Sequence, residues 1–358
     1  MNAPRPSAAP PPAGYAELRN SVAWAELGRR TTVLATGNDA VRFIDNFTTA
    51  AVSRLAPGEG TEGFFTDSKG WVLALANIFC VAGDPAEETA GETANSLWID
   101  APAALPHSLR EHLEHYHIRE RVELVDAGAD FTSLLVAGPT SADWLAGQCD
   151  REPPGGGPLP VQLLGHVQKV IAGVSLVIAR VDWAGPVGFL VRIAARDWPR
   201  LAAHLRSTGV AEASREAVET VRIEEGRPEA VDISEKTLPQ ELGRDARAIS
   251  FTKGCYLGQE TVARIDALGH VNRRLVAIAV DGPVAAGAGL RSGSETVGTI
   301  TSACHSPRVG AGLGLAIALA KRLGPDAVLE VDGRPARVVT VPMTGPVTDF
   351  QLEGGHDR

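Results

Sequence analysis

The stretch after His270 constrains the fold most. Short β-type runs, Leu275–Val280, Gly289–Arg291, Thr296–Thr301, Leu313–Leu319, Val328–Val331 and Ala336–Thr340, follow one another with only turns between them. Asp332-Gly333 is a type I′ hairpin signal, because both central positions of that turn need positive φ. Runs this short and closely spaced leave no room for crossover helices, so they pair with near neighbours. A small β-barrel of about 80 residues is the expectation for 271–358.

Before that point the pattern mixes strand and helix. Thr32–Ala35, Gly70–Phe79, Leu97–Asp100, Phe131–Ala137, Leu159–Leu164, Gly173–Val181 and Phe189–Ile193 read as strands. Helices are expected over Asn38–Leu55, with Asn38 as cap and Val41, Ile44 and Phe47 at helical spacing, and over Pro106–His117 and Ser141–Leu145. Another is expected over Asp197–Ser207, capped by Asp197 and stopped at Gly209. Pro153-Pro154-Gly155-Gly156-Gly157-Pro158 reads as a surface loop between related subdomains. The chain then divides into a disordered Pro-rich tail (1–15), an N-terminal α+β subdomain (16–150), a second α+β subdomain (151–270) and the barrel (271–358).

Composition excludes several functions. The 34 Lys+Arg against 43 Asp+Glu leave a net charge of −9, the wrong sign for a dedicated nucleic-acid or anionic-membrane binder. No apolar run reaches the ~20 residues that cross a bilayer. The opening residues lack the apolar stretch of a signal peptide, and Cys80, Cys149, Cys255 and Cys304 form no C-x-x-C pair. A cytoplasmic location with reduced thiols is the expectation. His112 and His115 lack a third ligand, and Cys304 and His305 point to opposite sides of a strand, so no metal site is expected.

Chemistry concentrates between Ser214 and Arg264. Ser214 caps a helix that ends at Gly226, and Val218, Val221, Arg222 and Glu225 share one stripe of it. A buried-side guanidinium needs an anionic or carbonyl partner. Either Arg222 pairs with Glu225 to close the helix end, or it reaches into a pocket and holds a ligand's carbonyl or carboxylate. Downstream, Gly254 and Gly258 bracket a tight turn and Gln259–Arg264 starts a helix. Cys255 then stands just ahead of a positive helix end and close in sequence to the Lys253 ammonium, and both favour thiolate. A lone cysteine is otherwise a small buried hydrophobe, so a reactive thiol and a packing residue are the two readings.

Lys253-Gly-Cys-Tyr-Leu-Gly-Gln-Glu260, followed by Val262-Ala-Arg264, resembles the K-G-C-Y-x-G-Q-E signature of the YgfZ family of folate-binding proteins, relatives of the glycine-cleavage T-protein aminomethyltransferases. Arg222-Ile-Glu-Glu-Gly226-Arg-Pro228 and Leu238-Pro-Gln-Glu241 resemble the segments leading into that signature. Gly37–Ile44, Leu55–Gly58, Phe65–Gly70 and Gly138-Pro-Thr140 resemble its upstream landmarks. The resemblance implies a three-lobed α+β ring, two related subdomains and a C-terminal barrel around a central tetrahydrofolate site. It also implies support of iron–sulfur cluster assembly or repair in client enzymes. Motif match and local electrostatics together make Cys255 and Lys253 the chemical groups. Arg222, Glu225, Tyr256, Gly254, Gly258, Gln259, Arg264 and Trp183 are the expected folate-contacting set.

Two departures separate the chain from the transferases. T-protein enzymes carry an acid after the turn opening their second N-terminal strand, where Ala74 and Leu75 stand here. Of the glutamates in Y-T-G-E-x-G-[FY]-E, the segment Trp183–Leu190 keeps neither, having Pro186 and Leu190 instead. Such side chains neither accept a proton nor balance developing positive charge. A pterin's N–H groups are best met by a carboxylate, and Glu225 is the acid expected to take over. A folate-dependent aminomethyl- or methyltransferase and a ligand-free partner-binding scaffold are the alternatives.

Overall fold

The computed structural model describes residues 10–82, 95–103, 105, 107–150, 157–324 and 327–343. Residues 1–9 of the Pro-rich tail, Pro106, and the Pro153–Gly156 part of the breaker cluster lie outside the described residues. The chain runs α1 (Tyr15–Asn20), β1 (Ala23–Gly28), β2 (Thr31–Thr36), α2 (Ala40–Asp45), β3 (Gly60–Thr66), β4 (Val72–Val81), β5 (Ser96–Ala101) and α3 (Leu109–Glu114). It continues through β6 (Glu123–Asp126), β7 (Phe131–Ala137), α4 (Ser141–Gln148), β8 (His166–Ile171), β9 (Val174–Val181), β10 (Gly188–Ala194), α5 (Trp198–Ser207) and β11 (Ala211–Glu212). The helices α6 (Arg215–Glu224), α7 (Asp245–Ala248) and α8 (Gln259–Leu268) lead into six further strands. These are β12 (Arg273–Val280), β13 (Gly289–Ser292), β14 (Glu295–Ser306), β15 (Ala311–Leu319), β16 (Leu329–Val331) and β17 (Arg334–Val339).

Two sheets pack against each other. The first has the order β3-β4-β5-β2-β6 and the second β11-β1-β7-β10-β9-β8. Phe79 and Trp98 of the first sheet meet Leu135, Leu190 and Ala179 of the second in one apolar core. The outer face of the first sheet buries Phe43 and Ile44 of α2 and Leu109 and Leu113 of α3. That of the second buries Leu145 of α4 and Leu201 and Leu205 of α5. The second sheet takes β1 and β7 from before residue 150 and β8–β11 from after it. The last six strands form a closed barrel, order β12-β15-β14-β13-β16-β17. Asp332 and Gly333 take φ of 51° and 71° in the β16–β17 hairpin, as a type I′ turn needs. The fold is α+β, two sheet-rich subdomains and a six-stranded barrel.

Two expected elements differ. Helix over Asn38–Leu55 is realised only as α2 and a 3-10 turn at Val52–Arg54, with Asp39 rather than Asn38 preceding α2. Thr48 bridges to Phe65 and Thr49 N–H donates to the Phe64 carbonyl, which pulls the chain out of helix and along β3. Leu159–Leu164 is not a strand; Leu164 sits at φ 61° and the chain turns there through Gly165 N–H to the Gln162 carbonyl. Ordered chain also begins ahead of Ala16: the Tyr15 hydroxyl is bonded to Glu224, a carboxylate that Arg19 and Ser306 also engage.

Candidate functional site

The motif loop is pinned from several directions. Lys253, whose side chain is 1% exposed, gives its ammonium to the carbonyls of Asp45, Thr48 (2.8 Å) and Ala50 (2.7 Å), with Asp45 Oδ1 at 3.4 Å. Burial lowers its pKa from the ordinary lysine value, while Asp45 opposes that shift. Leu257 N–H donates to the Asn46 carbonyl, and Thr66 Oγ1 donates to the Leu257 carbonyl at 2.6 Å. Gly258, at φ +83°, is the residue before α8; a Cβ there would lie 2.6 Å from the Asp67 carbonyl oxygen. Tyr256 packs with Leu75 and Val262, and burial pushes its hydroxyl up to about 12.

Between these anchors Cys255 is exposed, and all four cysteines are free thiols. The thiol is thus presented to solvent, not packed into a core. The Lys253 ammonium, however, is committed to backbone carbonyls of the 45–50 segment. Its role in this geometry is to hold the loop. Gln259 Nε2 reaches back to the Gly254 carbonyl at 3.5 Å, and Arg264 is exposed on α8.

Arg222 lies elsewhere. All five of its N–H groups are taken: Glu219 receives two, and the Arg227 carbonyl, Asp232 (2.8 Å) and Ser302 Oγ (2.6 Å) receive one each. Burial works against its charge, but Glu219 and Asp232 outweigh it and raise the pKa. Neither expected reading of Arg222 fits: Glu225 pairs with Arg19 of α1, and the guanidinium keeps no donor free for a ligand. It ties α6 to the barrel through Ser302 instead.

Further ion pairs, invisible in any local motif, tie distant segments together. Arg244 is bidentate to Glu62 of β3 (2.7 and 2.6 Å) and Arg247 to Asp182 beyond β9 (2.8 and 3.2 Å), so the segment flanking α7 bridges both sheets. Arg30 is bidentate to Asp100 (2.9 and 3.0 Å), to which Asn77 also donates at 3.4 Å. The guanidinium carbons of Arg30 and Arg227 lie 4.7 and 4.3 Å from the Trp183 ring centroid, so the faces of this tryptophan already have cationic neighbours. Burial lowers Arg227 to about 10. Asn77, a polar residue inside the apolar run Val72–Val81, was the one sequence signal of this lattice.

A cavity of about 390 Å³ opens beside these pairs, between the β1–β2 turn, Pro102-Ala103, α6 and residues 229–231. Its wall includes Arg222, Glu219, Arg30 and Glu229, with Leu27 and Val218 as apolar lining. Arg29 and Arg215 also line it; both are exposed, and neither forms an ion pair with a described residue. No residue of the 253–264 motif lines it. The transferase positions are occupied by apolar groups inside cores: Ala74 under α2 and α3, Leu75 against Tyr256, and Leu190 between the sheets.

Two paired sheets, a barrel and an anchored loop between them define the class as a T-protein-like α+β assembly. The GCVT N-terminal domain matches residues 12–253, and the glycine cleavage T-protein C-terminal barrel domain matches 273–347; the chain belongs to the glycine cleavage T-protein family. It is 22% identical over 334 residues to an aminomethyltransferase of Nostoc sp. (strain PCC 7120), covering 91% of this chain and 85% of that one. It is 28% identical over 284 residues to a mitochondrial iron-sulfur cluster assembly factor IBA57 homolog of Aspergillus fumigatus. That match covers 75% of this chain and 58% of the relative. Among solved structures, the glycine cleavage system aminomethyltransferase T from Bartonella henselae superposes with a TM-score of 0.77 at 15% identity, over 92% of this chain and 88% of that one. Among the described residues no helix is long and apolar enough to cross a membrane.

Proposed function

We propose that this chain is a tetrahydrofolate-binding factor of the YgfZ type that supports iron–sulfur cluster assembly or repair in the cytoplasm. The carrying observation is Cys255, an exposed thiol at the crest of a loop fixed on both sides by Lys253 and by the tight Gly258 turn. A thiol so presented suits transfer to or protection of a cluster on a client protein, the cluster being cargo. The IBA57 homolog among the relatives supports the same reading.

The cavity walled in part by Arg30 offers groups suited to a folate. Glu26 and Glu229 can face the ring N–H groups, Leu27 and Val218 the flat apolar middle, and Arg29 and Arg215 the glutamyl carboxylates. Bound there, tetrahydrofolate would supply a one-carbon carrier. Arg222 and Glu219 shape that wall, and Arg30 stiffens it against Asp100.

The second reading, an aminomethyltransferase, draws on relatives of that name. It has to explain Ala74, Pro186 and Leu190, none of which can stabilise a cationic reacting nitrogen. Calorimetric titration with tetrahydrofolate, run beside a turnover assay with a methylamine-type donor, separates the readings. Binding without turnover is expected. Arg215→Gln should weaken binding about tenfold or more, the worth of one charge-assisted hydrogen bond. No heat at all would favour a ligand-free scaffold, and turnover the transferase.

A further inference from the structure

Leu190 lies in the core between the two sheets, and alternation along β10 puts Arg192 on the same inner face. Its guanidinium carbon is 3.7 Å from the Trp98 ring centroid and 4.3 Å from that of Phe131. Nε and Nη1 are both buried without a hydrogen-bond partner among the described residues. Asp100 is the carboxylate whose charge reaches Arg192, yet its two oxygens are already taken by Arg30 and Asn77.

Two more orphaned atoms border this cation. Trp98 Nε1 and His166 Nδ1 are buried without a hydrogen-bond partner among the described residues. Phe79 links them, stacked on Trp98 at 4.5 Å between centroids and edge-on to His166 at 5.4 Å. The aromatic rings account for where the cation sits, since an indole face attracts a guanidinium. They occupy its face, however, and leave the Nε and Nη1 hydrogens unused. A buried donor without an acceptor is costly, so a cluster of them around a cation with no ion pair among the described residues marks the place of a missing acceptor.

We propose that Arg192 is the recognition group of an oxyanion site in the seam between the sheets, taking a small carboxylate or phosphate through its in-plane N–H groups. The site is separate from the cavity, which none of Arg192, Trp98 or His166 lines, and from the Cys255 loop. It therefore stands independently of the folate reading.

Thermal unfolding of the full chain in sodium acetate and in sodium phosphate, each compared with chloride at equal ionic strength, tests the proposal. Either oxyanion should raise the Tm of the wild type over its chloride value by more than it raises that of Arg192→Gln. Whichever salt gives the larger difference distinguishes carboxylate from phosphate as the preferred group. Equal responses in the two proteins overturn the site. Phenylglyoxal labelling of the wild type, mapped by peptide mass spectrometry, serves should the variant not fold. The favoured oxyanion should slow modification of Arg192 several-fold while leaving the exposed Arg196 unchanged, and unslowed modification of Arg192 overturns the site.

Discussion

A side chain's type can be read long before its partner can. Helical spacing correctly put Arg222 on the inner stripe of α6, and Ser214 caps that helix by accepting from Ala217 N–H. The stripe could not name Asp232 and Ser302, because those meet Arg222 only through the tertiary fold. Removing the guanidinium leaves Asp232 buried and stripped of its counter-charge. Arg222→Ala should therefore lower the unfolding free energy by about 3–5 kcal/mol, read from urea midpoints. A residue that merely held a ligand would show little change in that experiment. Lys253 teaches the same lesson: proximity to Cys255 in sequence suggested an electrostatic helper, whereas its three hydrogen bonds run to another segment.

At the scale of elements, the loop and the interrupted helix explain one another. Carbonyls of Asp45, Thr48 and Ala50 are free to receive Lys253 because helix does not continue through them. Periodicity alone predicted a long helix, since Val41, Ile44 and Phe47 do fall on one face. Long-range pairing of Thr48 and Thr49 with β3 overrode it. Lys253→Met should keep the fold yet speed alkylation of Cys255 by iodoacetamide, because the loop loses its clasp. An unchanged alkylation rate would show that the Gly258 turn suffices. Gly258→Ala meets both a left-handed φ, costing about 1–2 kcal/mol, and the Asp67 carbonyl, so its midpoint loss should exceed that of an ordinary helix-end change.

For the molecule as a whole, short-range signals located the barrel well, because three of its six pairings join consecutive strands and Asp332-Gly333 fixes one hairpin. The second sheet was less legible. Its β1 and β7 precede residue 150 and its other strands follow it, so no local pattern announces the pairing. Where the sheets meet, burial and then the Arg192 charge lower His166 from its ordinary 6.5 to about 4. Between those values the unfolded chain binds more protons than the folded one, so stability should fall as pH drops from about 6.5 towards 4. His166→Gln should flatten that slope in urea titrations across the window.

The central claim is that the presented Cys255 thiol, and not transferase chemistry, is what the chain contributes. Its most direct test is the activity of iron–sulfur enzymes in cells that lack this protein and receive either the wild type or Cys255→Ala, with matched protein levels and unchanged Tm and tetrahydrofolate affinity in vitro. The wild type should restore those activities and Cys255→Ala should not. Full restoration by Cys255→Ala would contradict the account.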